Sequence, residues 1–285
     1  MGFILQKIKR IYEELVFLVN KHKYQFKPVF IIGCGRSGTT ILGKTLSKHQ
    51  NVHLLNERRD LWHKAYPEFN VWSDKHVNNK LSVNKKSHTK KQTDILRRLF
   101  FKEQVLNKSD VLLEKLPINS FRVEFLTSAF PDAQFIYLHR NGLQVCSSIE
   151  KAIKQGNWYG KNKTKYKILE KYAINQNLGF VDSVCSNKEQ AMLEWRLSIE
   201  ASDRAFKKLS KERYINLSYY DFTTNFAISI KSVLNFLSLP YSNNQINLWS
   251  KNIYSNEISY GEIDGFLKTI GGSFLQTTIN NTYLK

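Results

Sequence analysis

The sequence predicts an α/β fold: a P-loop-like, three-layer domain with a central parallel β-sheet flanked by helices. Three observations carry this. Short apolar runs at 29–32, 52–55, 111–113, 135–138 and 214–219 alternate with segments of helical spacing, as in a parallel sheet with helical crossovers. The first run passes straight into Gly33-Cys34-Gly35-Arg36-Ser37-Gly38-Thr39-Thr40, a Gly-rich turn that opens a helix. No linker or internal repeat divides the 285 residues, a length that suits one domain with additions.

Residues 1–26 read as an N-terminal amphipathic helix and 27–285 as the α/β domain. Over 2–24, Ile4, Ile8, Tyr12, Leu15 and Val19 share one helical face, with Lys7, Arg10, Glu13 and Glu14 elsewhere. The first reading is a helix packed on the domain. The second is a basic amphipathic segment in peripheral contact with a membrane surface. After the Gly-rich turn, Ile41, Leu42 and Leu46 continue at helical spacing. Residues 52–55 form the second strand, and Glu57-Arg58-Arg59-Asp60 follow its C-terminal end. Residues 70–93 are Lys- and Asn-rich without a period, with Lys85, Lys86, Lys90 and Lys91 clustered, and read as a surface loop and candidate substrate lid. Residues 95–106 read as a helix and 111–113 as the third strand, running into Glu114-Lys115-Leu116-Pro117. Residues 120–130 are helical. The fourth strand, 135–138, leads into His139-Arg140-Asn141-Gly142 and a helix carrying Val145, Ser148 and Ile149. Residues 158–186 have no clear assignment. A long helix at 191–209, the fifth strand at 214–219 and a helix at 228–237 complete the pattern; beyond Pro240 little period remains.

The formal charge is +19, which predicts an anionic ligand, polymer or membrane surface without choosing among them. Cys34, Cys146 and Cys185 are odd in number and lack metal-ligand spacing, so a reducing compartment is the simplest expectation. No segment has the roughly 18 continuous apolar residues that span a bilayer. Lys7, Lys9 and Arg10 interrupt any signal-peptide core. The expected location is therefore cytoplasmic, with the membrane-peripheral variant that residues 2–24 allow.

A strand, a Gly-rich donor loop and a helix N-terminus make a phosphate cradle. Gly38 to Thr45 also fits the nucleoside-triphosphatase pattern G-x-x-x-x-G-K-[ST], which would place Lys44 on phosphate. Its context is wrong, because the strand ends at Gly33 and Ile41-Leu42 would occupy the loop centre. A nucleotide kinase or NTPase using Lys44 is thus the alternative of another class. A nucleic-acid-binding module would explain the charge but not the strand-end residues. Those residues are Glu57, Lys115 and Arg140, and a parallel sheet brings such ends to one edge. Two cations, a carboxylate and a donor loop suit group transfer from a phosphate-containing donor. The cations stabilise developing charge and the carboxylate takes a proton from an acceptor hydroxyl. His53 and His139 read as structural, as do Trp62, Trp72, Trp158 and Trp249 taken singly.

These residues resemble the sulfotransferases that use 3′-phosphoadenosine-5′-phosphosulfate (PAPS). Arg36-Ser37-Gly38-Thr39-Thr40 is similar to the family's 5′-phosphosulfate loop, in the Arg form typical of tyrosylprotein sulfotransferases and many bacterial relatives. Arg140 and Ser148 keep the spacing of the 3′-phosphate motif. The resemblance implies that Glu57 is the base, Arg59 contacts an anionic part of the acceptor, and Lys115 assists the leaving phosphate. Arg36 then acts both as phosphate ligand and as a catalytic cation. Tyr219-Tyr220-Asp221-Phe222 resembles the Tyr-Glu-Asp-Leu stretch, with Tyr220 in the acidic place, and puts Tyr219 at the nucleotide. A C-terminal covering loop is expected, with Lys268 and Gly271-Gly272-Ser273 as candidates. PAPS is thus the expected co-substrate, with no metal. The expected acceptor is a hydroxyl of a glycan or glycolipid, which can be anionic; a protein tyrosine is the alternative.

Overall fold

The computed structural model describes residues 2–74, 79–82, 89–156, 158–176 and 184–251. Strands β1 (Pro28–Ile32), β2 (Val52–Asn56), β3 (Val111–Lys115), β4 (Gln134–His139) and β5 (Tyr214–Ser218) form one parallel sheet in the order β2-β3-β1-β4-β5. All five expected strands are present. The helices are α1 (Gly2–Asn20), α2 (Thr39–Leu46), α3 (Arg59–Ala65), α4 (Lys90–Leu106), α5 (Val123–Ala129), α6 (Gly142–Lys154), α7 (Thr164–Asn175), α8 (Asn187–Phe206), α9 (Tyr219–Thr224), α10 (Phe226–Phe236) and α11 (Asn243–Ser250).

The two-residue period of β1 builds the layers. Val29 and Ile31 join Leu42 and Leu46 of α2 and Ile230, Val233 and Leu234 of α10 on one face. Phe30 and Ile32 point to the other, where Phe100, Phe125, Phe130, Phe135 and Trp62 form an aromatic core. Both β1 and β3 are buried along their whole length, as expected for central strands covered on both faces.

Helix α4 begins at Lys90, inside the stretch read as a loop, because Thr89 and Gln92 form a reciprocal capping box there. The stretch before it is partly pinned. Buried Arg122 donates to the carbonyls of Phe69 and Leu81, both at 3.0 Å. Lys85 and Lys86 lie outside the described residues. Helices α3 and α7 carry no strong sequence period and were not expected as elements.

Helix α1 departs most from expectation. It docks on α4 with its acid-bearing side. Phe17 is buried edge-on to Phe101, with ring centroids 5.6 Å apart. Glu14 pairs with Arg98 and Lys102, and Glu13 lies 3.7 Å from Lys102. The apolar face expected to pack (Ile4, Ile8, Tyr12, Leu15, Val19) remains exposed. The ion pairs with α4 select the opposite side.

At the end of β3, Glu114 is fully buried. Trp62 Nε1 donates to one carboxyl oxygen at 3.0 Å and Asn119 Nδ2 to the other at 2.9 Å. Burial pushes its pKa up to about 7, against the opposing pull of these donors and of the charges on Lys115 and Arg122. Between the ordinary value of 4.5 and about 7 the native protein holds a proton that the unfolded chain has released. Glu114 therefore contributes stability below that window and loses it as pH rises through it. Urea midpoints of Glu114→Gln should fall less steeply across this window than those of wild type; identical slopes would show that Glu114 titrates normally.

Candidate active site

The C-terminal ends of the five strands place the predicted residues side by side along one sheet edge. In spatial order they are Glu57 after β2, Lys115 closing β3, loop 33–38 after β1, Arg140 after β4 and Tyr219 after β5. This is the edge where open parallel sheets bind ligands.

Loop 33–38 is shaped for close approach. Gly38 has φ +95°, and a Cβ there would lie 2.3 Å from Cδ2 of Tyr219. Only glycine fits both demands. Ser37 is buried. Its N–H donates to the Cys34 carbonyl at 3.2 Å, so that group is occupied within the loop. Its hydroxyl is buried without a protein partner, which fits an anion-binding position. The N–H groups of Thr39, Thr40 and Ile41 open α2, where no earlier turn supplies carbonyls. Thr39 is buried and Thr40 half-buried. Residues 39–45 of the competing triphosphatase pattern are helix, and Lys44 is exposed in the last turn of α2. That pattern forms no loop.

Arg36, Arg140, Ser148 and Tyr219 form one cluster. Arg36 Nε donates to Ser148 Oγ at 2.9 Å. Arg140 donates to the Arg36 carbonyl at 3.3 Å and to Gln144 Oε1 at 2.7 Å. Its guanidinium carbon lies 4.2 Å from the Tyr219 ring centroid, a cation–π arrangement. The Arg36 side chain thus lies with the residues matched to the 3′-phosphate.

Glu57, Lys115 and Arg59 form the second cluster. Lys115 is 1% exposed. Its Nζ is 2.8 Å from Glu57 Oε1, and an Arg59 guanidinium nitrogen is 2.9 Å from Oε2. The backbone fixes this meeting. Asn56 pairs with Lys115 in the ladder. Glu57 then turns into the left-handed region at φ 56° and donates its N–H to the Lys115 carbonyl at 2.9 Å. Burial raises the Glu57 pKa, but the hydrogen bond and charge of Lys115, with those of Arg59, outweigh it and hold the carboxyl below its usual range. Glu57 is therefore ionised. Its basicity increases when another anion shares the Lys115 charge.

A cavity of about 140 Å³ opens beside Glu57, walled by Gly35, Arg59, Trp72, Phe121 and Trp158. Arg59 stacks on Trp72, its guanidinium carbon 3.6 Å from the ring centroid. Further in, Glu194 accepts from Lys165 Nζ at 2.5 Å and from Trp158 Nε1 at 2.8 Å. The sequence reading missed Lys165, Glu194 and Ser198. The available signal was Glu194 itself, a carboxylate set between Leu193 and Trp195 in the stretch Ala191 to Leu197, which also holds Arg196. Trp72 and Trp158 line the cavity, whereas Trp62 and Trp249 belong to the core. His53 lies 3.7 Å from Glu103. Burial lowers the His139 pKa to about 4.

A sequence profile of the sulfotransferase family matches residues 28–243. The chain belongs to the sulfotransferase family. It is a PAPS-dependent sulfotransferase. The sulfotransferase domain from the curacin biosynthetic pathway shares 17% identity with it, covering 82% of this chain and 80% of that one with a TM-score of 0.51. The sulfotransferase domain of the Synechococcus PCC 7002 olefin synthase shares 16%, over 89% and 83%, with a TM-score of 0.50. At these identities the likeness speaks to the fold. The family implies PAPS and its bisphosphate product as ligands. The buried Ser37 hydroxyl, the glycine-lined loop and the Arg140–Tyr219 pair suit them. Lys268 and Gly271-Gly272-Ser273 lie outside the described residues.

Gly38→Ala should weaken 3′,5′-adenosine bisphosphate binding by at least about tenfold, because a Cβ at positive φ is strained and drives into Tyr219. Calorimetry on protein with an unchanged circular dichroism spectrum checks this; wild-type affinity would mean that the loop adapts freely.

Proposed function

We propose that this sulfotransferase transfers the PAPS sulfuryl group to a hydroxyl of a glycan or glycolipid, with Glu57 as the base. The supporting observation is the Glu57–Lys115 pair, 2.8 Å apart on adjacent strand ends, with Glu57 lining the cavity. PAPS, when bound, supplies the sulfuryl group and an anionic leaving phosphate. Glu57, already ionised, accepts the acceptor's hydroxyl proton. Lys115 offers a desolvated ammonium to charge developing on the donor; Arg36, whose side chain reaches Ser148, adds its charge at the 3′-phosphate end and serves the transferred group only by releasing Ser148. Thr39 and Thr40, with the Ser37 hydroxyl and the N–H groups that open α2, hold the 5′-phosphate. Arg140 and Ser148 hold the 3′-phosphate, and Tyr219 orients Arg140 by stacking.

The acceptor reading draws on the cavity walls. Trp72 and Trp158 put indole rings in the wall, each with a cation over one face, Arg59 at 3.6 Å and Lys165 at 4.5 Å from the ring centroid. Arg59, Lys165 and Glu194 offer charged hydrogen-bonding groups around them. A sugar ring, with apolar faces and a rim of hydroxyls, matches that mixture. In this reading Arg59 contacts an anionic substituent of the acceptor, as its position in the resemblance implies.

Calorimetry should show 3′,5′-adenosine bisphosphate binding at least about tenfold more tightly than AMP, and more tightly than ATP, through charge-assisted contacts to the 3′-phosphate. Arg140→Ala should remove that advantage, and equal affinity for bisphosphate and AMP in wild type would overturn the donor assignment. With a glycan acceptor, Glu57→Gln should keep bisphosphate affinity and lose about 10²–10⁴-fold in turnover. Undiminished turnover would take the base role from Glu57.

A further inference from the structure

The exposed face of α1 is continuous and apolar. At 3.6 residues per turn, Ile4, Ile8, Ile11, Leu15 and Val19 fall on one arc of the helix, and each is more than half exposed. Lys7 borders this arc on one side; on the other, exposed Tyr12 and Leu5 widen it as far as Lys9. The helix's two acids, Glu13 and Glu14, are turned to Lys102 and Arg98 of α4, and Lys9 reaches Glu13 only at 4.0 Å. Among the described residues no helix is long and apolar enough to cross a membrane.

We infer that α1 lies in the plane of an anionic lipid bilayer, with its apolar arc among the acyl chains and its borders on the headgroups. Two physical arguments choose this occupant. The arc is wide and apolar but flanked by cations, the pattern of an interfacial helix. A second copy of the chain meets it less well, because a two-fold axis along the helix brings Lys7 and Lys9 towards their counterparts with no acid on the arc to receive them. Anionic headgroups supply the missing charge, and the formal charge of +19 adds long-range attraction. Docking through Phe17, Glu13 and Glu14 lets the body ride on the cytosol-like, aqueous side of the helix while the arc stays free for lipid. The inference is independent of the acceptor and of the roles given to the strand-end residues.

The test is cosedimentation of the full chain with vesicles of phosphatidylcholine alone and of an equimolar phosphatidylcholine–phosphatidylglycerol mixture. Binding is expected to the mixed vesicles, weakening as salt is raised. Lys7→Glu with Lys9→Glu should reduce that affinity by at least about tenfold. Ile8→Glu with Leu15→Glu should abolish it. These side chains are exposed, so the circular dichroism spectrum and bisphosphate affinity of both variants should match wild type, which separates lost lipid binding from misfolding. Failure of the wild-type chain to bind mixed vesicles overturns the inference. So does vesicle binding that neither double variant changes. A dimer in sedimentation equilibrium that Ile8→Glu dissociates, without vesicle binding, would assign the face to a second copy instead.

Discussion

Lys115 is an ammonium group almost completely removed from water, and Glu57 makes that tolerable. An unpaired charge in such a place costs several kcal/mol, so the sheet must deliver a carboxylate to it. The β2–β3 register does so by setting Asn56 beside Lys115. The following residue then adopts a left-handed backbone and is tied by its own N–H to the Lys115 carbonyl. Arg59, two residues on and the first of α3, takes the other carboxylate oxygen. The strain at Glu57 and the burial at Lys115 are two sides of one arrangement. It leaves a cation and an ionised carboxylate fixed beside a loop built for phosphate.

Much of this edge was legible in the sequence because it depends on local rules. Five apolar runs gave five strands, and parallel pairing carried Glu57, Lys115, Arg140 and Tyr219 to one edge without knowledge of the strand order. The triphosphatase-like pattern could be set aside because the strand ends at Gly33, ahead of it, and Ile41-Leu42 would fill its loop centre; Lys44 duly faces outwards from α2. What stayed hidden depends on tertiary contact. The cavity draws Trp72, Trp158, Lys165 and Glu194 from separate segments, and no period relates them. Helix α7 escaped notice because its buried side includes Lys165 and Tyr166, which blur the apolar stripe. Helix α1 has a clear stripe, but three ion pairs and one phenylalanine turned its other side to the protein.

The polar interior follows one rule in several forms. Glu114 is buried and met by neutral donors from Trp62 and Asn119. Arg122 is buried and spends its hydrogen bonds on backbone carbonyls. Arg140 loses water but gains an aromatic face. Each of these three groups finds a partner that ties it to a neighbouring segment, although Arg122 Nη1 is buried without a hydrogen bond. The polar groups thereby help to hold the site in shape around the aromatic core.

The Lys165–Glu194 pair at the inner end of the cavity carries a historical consequence. Replacing either member alone leaves a buried, uncompensated charge at a cost of about 3–5 kcal/mol, a large share of what holds a domain together. Replacing both with apolar residues of similar bulk avoids that cost. The depth of this cavity is therefore closed to change by single substitutions and open to paired ones. Divergence among descendants of this chain should accordingly be continuous at the Trp72 and Arg59 mouth and stepwise at its floor.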